Sequence, residues 1–241
     1  MTVPPSPAHI ARITALLAPG ALDPQHSLCV ASAQAVGVTG AGVILVSGGR
    51  ALGSVCVSNR MTEIAEEWQY TLGEGPCIDA FRSKAPVLAP DLADPASTRW
   101  PGFCEGAQAA GVRAAFGFPL LIESVCFGAL NLYQDHPGPL TAEQMVDATV
   151  VAFVAGRLVL AWQSVAGPGS LAWQLEHAPL HRAVVQQAAG MVSVQAATSV
   201  PDAIVMLRAY AFAEGRPVSE VAEDIVSGKL RLDGQTGKRE S

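Results

Sequence analysis

The chain has 241 residues, half of them hydrophobic and only 15% charged, with a formal net charge of −6. An average soluble protein is roughly 25% charged, and this balance excludes a disordered chain, a coiled-coil rod and a nucleic-acid-coating tail. A nucleic-acid partner would have to be met by a local patch, not by the whole surface.

Helical spacing of Ile, Leu and Val predicts helices over residues 8–18 and about 24–37. Gly42–Ser47 and Ala51–Ser58 read as a strand pair joined by the Gly48-Gly49-Arg50 turn. Thr62–Tyr70 reads as a helix capped by Thr62, with Glu66 and Glu67 exposed. GEGP at 73–76 breaks the chain, and Pro76 stands where a first-turn proline starts the helix Cys77–Arg82. Ala85–Leu88 reads as a brief strand running into the Pro90-Asp91 turn, and Trp100-Pro101 opens a short helix to Ala110. Val112–Ile122 and Val125–Tyr133 alternate as two strands joined at Glu123-Ser124. Thr141 caps a long helix with Val146, Val150, Phe153, Val154, Leu158 and Trp162 on one face. The sum is an α+β fold, a five- or six-stranded antiparallel sheet with helices packed on it.

The stretch Ala166-Gly167-Pro168-Gly169-Ser170 is a helix breaker. Before it, through Gly169, stand 8 Lys+Arg and 13 Asp+Glu; after it stand 7 and 8, and the pattern turns helical throughout. The division therefore falls into residues 1–165, a linker at 166–172, a helical domain at 173–232 and a flexible tail at 233–241. The first of three helices covers about Pro179–Gln195, with Leu180, Val184, Ala188 and Met191 on one stripe. Ser199 caps the second, about Val200–Phe212, with Ala203, Ile204, Leu207 and Ala211 inward. After Gly215-Arg216-Pro217 the third turns Val218, Val221, Ala222, Ile225 and Val226 inward. A bundle of about 50 residues is too small to be robust alone, so dimerisation or docking is expected.

The five cysteines (29, 56, 77, 104 and 126) are scattered, with no CxxC. That set argues against a disulfide framework and a zinc site, and free thiols are the expectation. His9, His26, His136, His177 and His181 show no ligand spacing, so no metal is expected. GEGPC lacks the Lys-Ser/Thr end of a phosphate-binding loop, and no Ser-His-Asp order appears. The uncharged run Ser27–Gly49 is interrupted by Gln34 and Ser47, and MTVPPSPAHIAR carries no signal-peptide pattern. The expectation is a cytoplasmic protein with no membrane span.

The stretch HRAVVQQAAGMVSVQAATSVPDAIVMLRAYAFAEGRPVSEVAEDIV (181–226) resembles an ANTAR domain. The resemblance is carried by Gln187-Ala188-Ala189-Gly190-Met191, by Ala203 with Leu207-Arg208, and by Val221-Ala222 with Ile225-Val226. Leu72–Tyr133, with GEGPCIDAFR, VLAPDL, RWPGF and GALNLY, is similar to the GAF domains fused to ANTAR domains in actinobacterial regulators. The resemblance implies a GAF-type sheet flanked by helices, followed by a three-helix RNA-binding bundle. It implies a regulator that relieves transcription termination by binding RNA hairpins, with an unknown small-molecule signal at the GAF domain. ANTAR domains that follow a phosphoacceptor receiver are common, and nothing here resembles a receiver.

For RNA, Arg182, Arg208, Arg216, Lys229 and Arg231 supply scattered cations, and Tyr210 can stack on an unpaired loop base. Gln186 and Gln187 suit base edges because each side chain carries a donor and an acceptor. Each of the cations and Tyr210 reads equally as a surface residue, and Tyr210 also as a partly buried one. In the sensor part, Cys77 at a helix start is either a thiolate favoured by the helix dipole or a small buried side chain. Trp100 and Phe103 cover the sheet face, and with Cys77, Asp91, Phe116 and Phe118 they are candidates for lining a pocket. Asp91/Asp94 and Glu66/Glu67 read as turn and helix-surface residues, so no catalytic residue is assigned. Two other readings stand beside the regulator. One is a GAF-fold thiol enzyme like the free methionine sulfoxide reductases, using Cys77, Cys104 and Cys126. The other is a DNA-binding or dimerisation helical module, although Glu220, Glu223 and Asp224 would face phosphates from the third helix. The long helix 142–162 and the amino-terminal helix are expected to form a homodimer, and Gly167-Pro168-Gly169 a hinge.

Overall fold

Alternation along the strands builds a sheet whose two faces carry different chemistry. A computed structural model describes residues 7–17, 24–47, 50–94, 99–165, 181–233 and 236–239. The chain divides into two compact units, 1–170 and 171–241. In the first, β1 (Gly40–Ser47), β2 (Arg50–Val57), β3 (Val87–Ala89), β4 (Ala114–Ile122) and β5 (Val125–Gln134) form one antiparallel sheet in the order β2-β1-β5-β4-β3. Gly42 stands opposite Asn131 and Ile44 opposite Ala129, while Phe116 stands opposite Leu132 and Phe118 opposite Leu130. Since directly opposed residues share a face, Gly42, Asn131 and Tyr133 face one way and Phe116, Phe118, Leu130 and Leu132 the other.

The helices of this unit are α1 (Pro7–Leu16), α2 (Pro24–Val36), α3 (Arg60–Leu72), α4 (Pro76–Ser83), α5 (Pro101–Ala109) and α6 (Ala142–Val165). α3 and α4 cover the Gly42/Asn131 face: a side chain at Gly42 would run into Glu66, and one at Gly117 into the Pro76 carbonyl. α6 covers the opposite face, where Gly156 lets it lie against Leu120 and Phe127. Thr141 caps α6 as expected: its Oγ1 accepts from Gln144 N at 3.2 Å, and Gln144 Oε1 accepts from Thr141 N at 2.9 Å. This reciprocal pair satisfies two donors at the helix end. Ala148, Val151, Ala155 and Val159 of α6 are buried, as are Val150 and Val154. Among the described residues, Ala142–Trp162 is long and apolar enough to cross a membrane by length and composition, and half of its most apolar stretch is buried.

Four sequence expectations are corrected in this unit. α3 begins at Arg60 and its cap is Asn59, whose Oδ1 accepts from Thr62 N at 2.9 Å; Thr62 lies inside the helix and is buried. Glu66 is buried, because Thr62, Ala65, Glu66 and Gln69 form the inward stripe of α3. Phe153 is 48% exposed and does not share the inward face of Val150 and Val154. Cys29 and Cys56 are joined by a disulfide, with Cα atoms 5.8 Å apart. The bond ties α2 to β2 across 27 residues, a pairing that spacing alone does not signal.

The second unit holds α7 (His181–Gln195), α8 (Val200–Ala213) and α9 (Val218–Val226). Ser199 Oγ accepts from Asp202 N at 3.2 Å, which is the expected cap of α8. The core is built from small side chains: Val185, Ala188, Ala189 and Val192 on α7, Ala203, Leu207 and Ala211 on α8, and Val221, Ala222 and Ile225 on α9. The α7 stripe is thus shifted by one from the expected one, leaving Val184 and Met191 half-buried. Within the segment expected as a flexible tail, Thr236–Arg239 pairs as β7 with β6 (Leu230–Asp233) in an antiparallel ladder. The linker, with the Gly167-Pro168-Gly169 interruption and Leu180, lies outside the described residues.

Candidate functional site

The face of the sheet under α3 and α4 carries a buried polar cluster. Asn131 Nδ2 donates to Glu66 Oε1 at 2.6 Å, the Tyr133 hydroxyl donates to the same oxygen at 3.0 Å, and Ser54 Oγ donates to Glu66 Oε2 at 3.2 Å. The Tyr133 hydroxyl in turn accepts from Gln69 Nε2 at 2.7 Å, and Gln69 Oε1 accepts from Cys77 N at 3.0 Å. Glu66, Gln69, Asn131, Tyr133 and Cys77 are all buried. A buried carboxylate is tolerated only when donors surround it, and here β5 supplies two at alternate positions while the Gly42 backbone makes room. Gly75, at φ 131°, brings the start of α4 against Gln69, a conformation and an approach that a Cβ would prevent. Asn131 Oδ1 is buried with no hydrogen-bond partner among the described residues.

Cys77 lies at the start of α4, yet it is not a thiolate. Burial, and then the charge of Glu66, push its pKa well above the ordinary thiol range. Burial and Glu66 push the Tyr133 phenol up for the same reasons. Cys104 and Cys126 are also raised, each chiefly by burial. Thiolate is the nucleophilic form, so none of these three is activated.

The other expected pocket residues divide between the two faces. Trp100 and Phe103 pack with Ala65, Val112 and Tyr133 on the α3/α5 side. Trp100 Nε1 donates to Asp79 Oδ2 at 3.1 Å, and Arg99 lies over its ring at 4.3 Å from the centroid. Phe116 and Phe118 point to the opposite face and line nothing in common with Cys77, Trp100 or Phe103. Asp91 is a turn residue: its Oδ1 accepts from Ala93 N at 2.9 Å and sits 3.5 Å from Arg113. An open depression of about 360 Å³ is lined by Asp79, Arg82, Ser83, Val87 and Arg99. Asp79 there holds Arg99 at 2.6 Å and faces Arg82 at 3.8 Å.

In the second unit, Gln186 and Gln187 are exposed on α7, while Arg208 and Tyr210 are half-buried on α8. Arg216 Nη2 donates to Asp224 Oδ2 at 2.8 Å, with Glu220 at 3.4 Å, so this cation is held by carboxylates of α9. Lys229 lies 3.9 Å from Asp224 on the other side, and Arg231 is exposed on β6. The side chain of Arg182 lies outside the described residues. No group of three or more His, Cys, Asp or Glu side chains among the described residues is placed to hold a metal.

Sequence reasoning missed Glu66, Gln69, Asn131, Tyr133 and Asp79. The signal for the first four was present: Glu66 and Gln69 are three apart on a helix, and Asn131 and Tyr133 are two apart on a strand. Each pair therefore shares a face.

A GAF domain model matches residues 27–160 and an ANTAR domain model matches residues 173–226. No curated protein matches the chain significantly. Similar solved structures include the GAF domain of a phosphoenolpyruvate-protein phosphotransferase from Coxiella burnetii, 15% identical over 66% of this chain and 96% of that one, at a TM-score of 0.47. The GAF domain of the Acinetobacter phosphoenolpyruvate-protein phosphotransferase is 12% identical over 66% of this chain and 95% of its own, at 0.48. Free methionine-R-sulfoxide reductase from Neisseria meningitidis is 15% identical over 68% of this chain and 99% of its own, at 0.47. The GAF model spans more than half of the chain, which belongs to the GAF family as a GAF domain followed by an ANTAR domain.

Proposed function

We propose that the chain is a signal-responsive RNA-binding regulator of transcription antitermination, in which the GAF domain senses a small molecule and the ANTAR domain binds RNA hairpins. The observation that carries this reading is the order of the two matched domains, a sensor type followed by an RNA-binding output type. The exposed Gln186 and Gln187 support it, since an amide side chain offers a donor and an acceptor to a loop base. Arg208 and Tyr210 on α8 are the adjoining candidates for phosphate and stacking contacts, with Arg182, Lys229 and Arg231. Arg216 is withdrawn from that set by its carboxylate partners.

The thiol-enzyme reading loses its support, because the three free cysteines are held as thiols by burial. A recognition-helix reading of α9 is opposed by the exposed Glu220 and Glu223. The functional protein is a cytoplasmic homodimer in this reading, with the dimer formed through α1 and α6. The signal is taken to be a small molecule bound by the GAF domain.

The test is a fluorescence titration of the full chain with a two-hairpin leader RNA and with duplex DNA of equal length. Binding of the RNA alone is expected. Tight binding to the duplex with none to RNA would overturn the reading in favour of a DNA-binding module, and binding to neither in favour of a dimerisation bundle. Native mass spectrometry of freshly purified protein would read the dimer mass and any retained ligand.

A further inference from the structure

Cations are unevenly placed in the second unit. The segment matched by the ANTAR model, 173–226, holds three arginines against six Asp and Glu, a balance of −3. The fifteen residues that follow hold Lys229, Arg231, Lys238 and Arg239 against Asp233 and Glu240, a balance of +2. Within the matched segment Arg216 is already engaged by Asp224 and Glu220. An RNA backbone is bound by cations in proportion to the phosphates neutralised, and the family segment alone is poorly supplied.

The first of the residues that follow are tied to the bundle. Leu230 and Leu232 are buried, and Leu232 N donates to Gln195 Oε1 at the end of α7 at 3.2 Å, which fixes β6 to the bundle. Because side chains alternate along a strand, Arg231 between these two leucines is exposed. The ladder sets Lys238 of β7 directly across from Arg231, and Arg239 across from Leu230. Cations on a pinned hairpin are presented with less ordering cost than cations on a loose tail.

We infer that the β6–β7 hairpin is a second RNA-contacting surface, which grips phosphates through Arg231 and Lys238 with Lys229 beside them, outside the segment matched as ANTAR. The inference rests on the RNA-binding reading of the preceding section. In it the helices read loop bases, and the hairpin supplies the sequence-independent part of the affinity.

The experiment titrates the full chain, wild type and the double variant Arg231→Gln/Lys238→Gln, with a labelled RNA of two stem-loops carrying randomised loops, over a series of potassium chloride concentrations. The expected result is a loss of roughly fivefold in affinity per cation near 0.1 M salt, with the log–log salt slope shallower by about one for each cation removed. Arg231→Lys should keep both affinity and slope. Leu230 and Leu232 stay in place in every variant, so the bundle core is untouched, and circular dichroism checks it. Wild-type binding with the double variant unchanged in affinity and slope would overturn the hairpin inference and leave the RNA reading standing. Absence of any wild-type binding would overturn both.

Discussion

The Glu66 carboxylate and the Asn131 side-chain amide meet at 2.6 Å on the α3 face of the GAF sheet, both of them buried. Two further donors, Tyr133 and Ser54, close on the same carboxylate. Glu66→Ala therefore leaves three donors facing an apolar gap, at about 1–3 kcal/mol for each that finds no partner. Glu66→Gln keeps the volume and one acceptor oxygen, and Ser54 can turn its hydroxyl to accept, so it should cost well under half as much. Urea unfolding reads the difference as a lower midpoint at constant slope. Equal costs for the two variants would overturn this account, since Gln keeps the volume and one acceptor oxygen and Ala keeps neither.

The thiol of Cys77 and the phenol of Tyr133 give the GAF domain a defined alkaline limit. Both folded pKa values are raised, by burial first and by Glu66 second. A group raised in the folded state contributes stability that is whole below its unfolded pKa and is lost as pH rises toward the folded one. The unfolded values lie near ~8.5 for Cys and ~10 for Tyr, so stability should be flat from neutrality to about pH 8.5 and fall above it. Cys77→Ala should flatten the decline between these two values by up to about 1.4 kcal/mol per pH unit, the slope of one proton. Chemical denaturation at a series of pH values measures this, and an unchanged slope would contradict the assignment. The same burial predicts that native Cys77 resists iodoacetamide until the protein is unfolded.

Periodicity made most of the elements legible, because the strands at 112–133 and the helix after Thr141 each bury one face, and one buried face writes one period into the sequence. Ser199 and Thr141 were readable as caps for a local reason: each hydroxyl serves a backbone donor three residues on. What stayed hidden depends on partners far along the chain. Glu66 reads as a surface residue until Asn131 and Tyr133, 65 and 67 residues away, are brought beneath it. Asn59 outcompetes Thr62 for the cap because its side chain also donates to the Thr39 carbonyl at 2.8 Å, which anchors it across the β1 entrance. Phe116 and Phe118 looked like pocket residues from their type, but the ladder with Leu130 and Leu132 turns them to the α6 face. The hairpin at the carboxy terminus was hidden because its Lys, Arg and Gly content resembles a solvated tail.

The Cys29–Cys56 bond closes a loop of 27 residues between α2 and the edge strand β2. Loop-closure entropy for that length is about 3–4 kcal/mol. Cys29→Ser/Cys56→Ser, or treatment with a phosphine reductant, should lower the GAF melting temperature by roughly 7–14 °C at 2–4 °C per kcal/mol. The reductant should have no further effect on the double variant. A melting temperature insensitive to both would show that the pair adds nothing to folding.

Phe153 stands exposed on α6 with the Arg157 guanidinium 5.7 Å from its ring, and Leu16 is half-exposed on α1. α1 is joined to α6 through Asp147, which accepts from Arg12 at 2.8 Å and also pairs with His9. If these helices form the dimer, Phe153→Glu buries a carboxylate in an apolar contact and should shift micromolar protein from dimer to monomer by light scattering. The fold should be unchanged, since the inward face of α6 is untouched. A wild-type monomer, or a variant that remains fully dimeric, would remove α6 from the interface.

Three substitutions in the ANTAR domain separate positioning, reading and scaffolding. Arg208→Glu puts a carboxylate where a cation is proposed to meet phosphate, and it should weaken hairpin RNA binding by roughly tenfold or more near 0.1 M salt, with a shallower salt slope. Gln187→Ala removes a donor and an acceptor from the exposed side of α7 and should change loop-sequence preference more than total affinity, since base-edge contacts specify and phosphate contacts position. Arg216→Ala should do neither. Its guanidinium is held by Asp224 and Glu220 across the turn into α9, so its loss should lower stability by up to about 1 kcal/mol, the range for a solvent-accessible ion pair. RNA affinity should then stay the same, or fall slightly as Asp224 turns to Lys229, 3.9 Å away. Fluorescence titration against the two-hairpin RNA, paired with urea unfolding of each variant, resolves the three roles. An Arg216→Ala variant that loses RNA binding at unchanged stability would return that residue to the interface and move the RNA surface onto the α8–α9 turn.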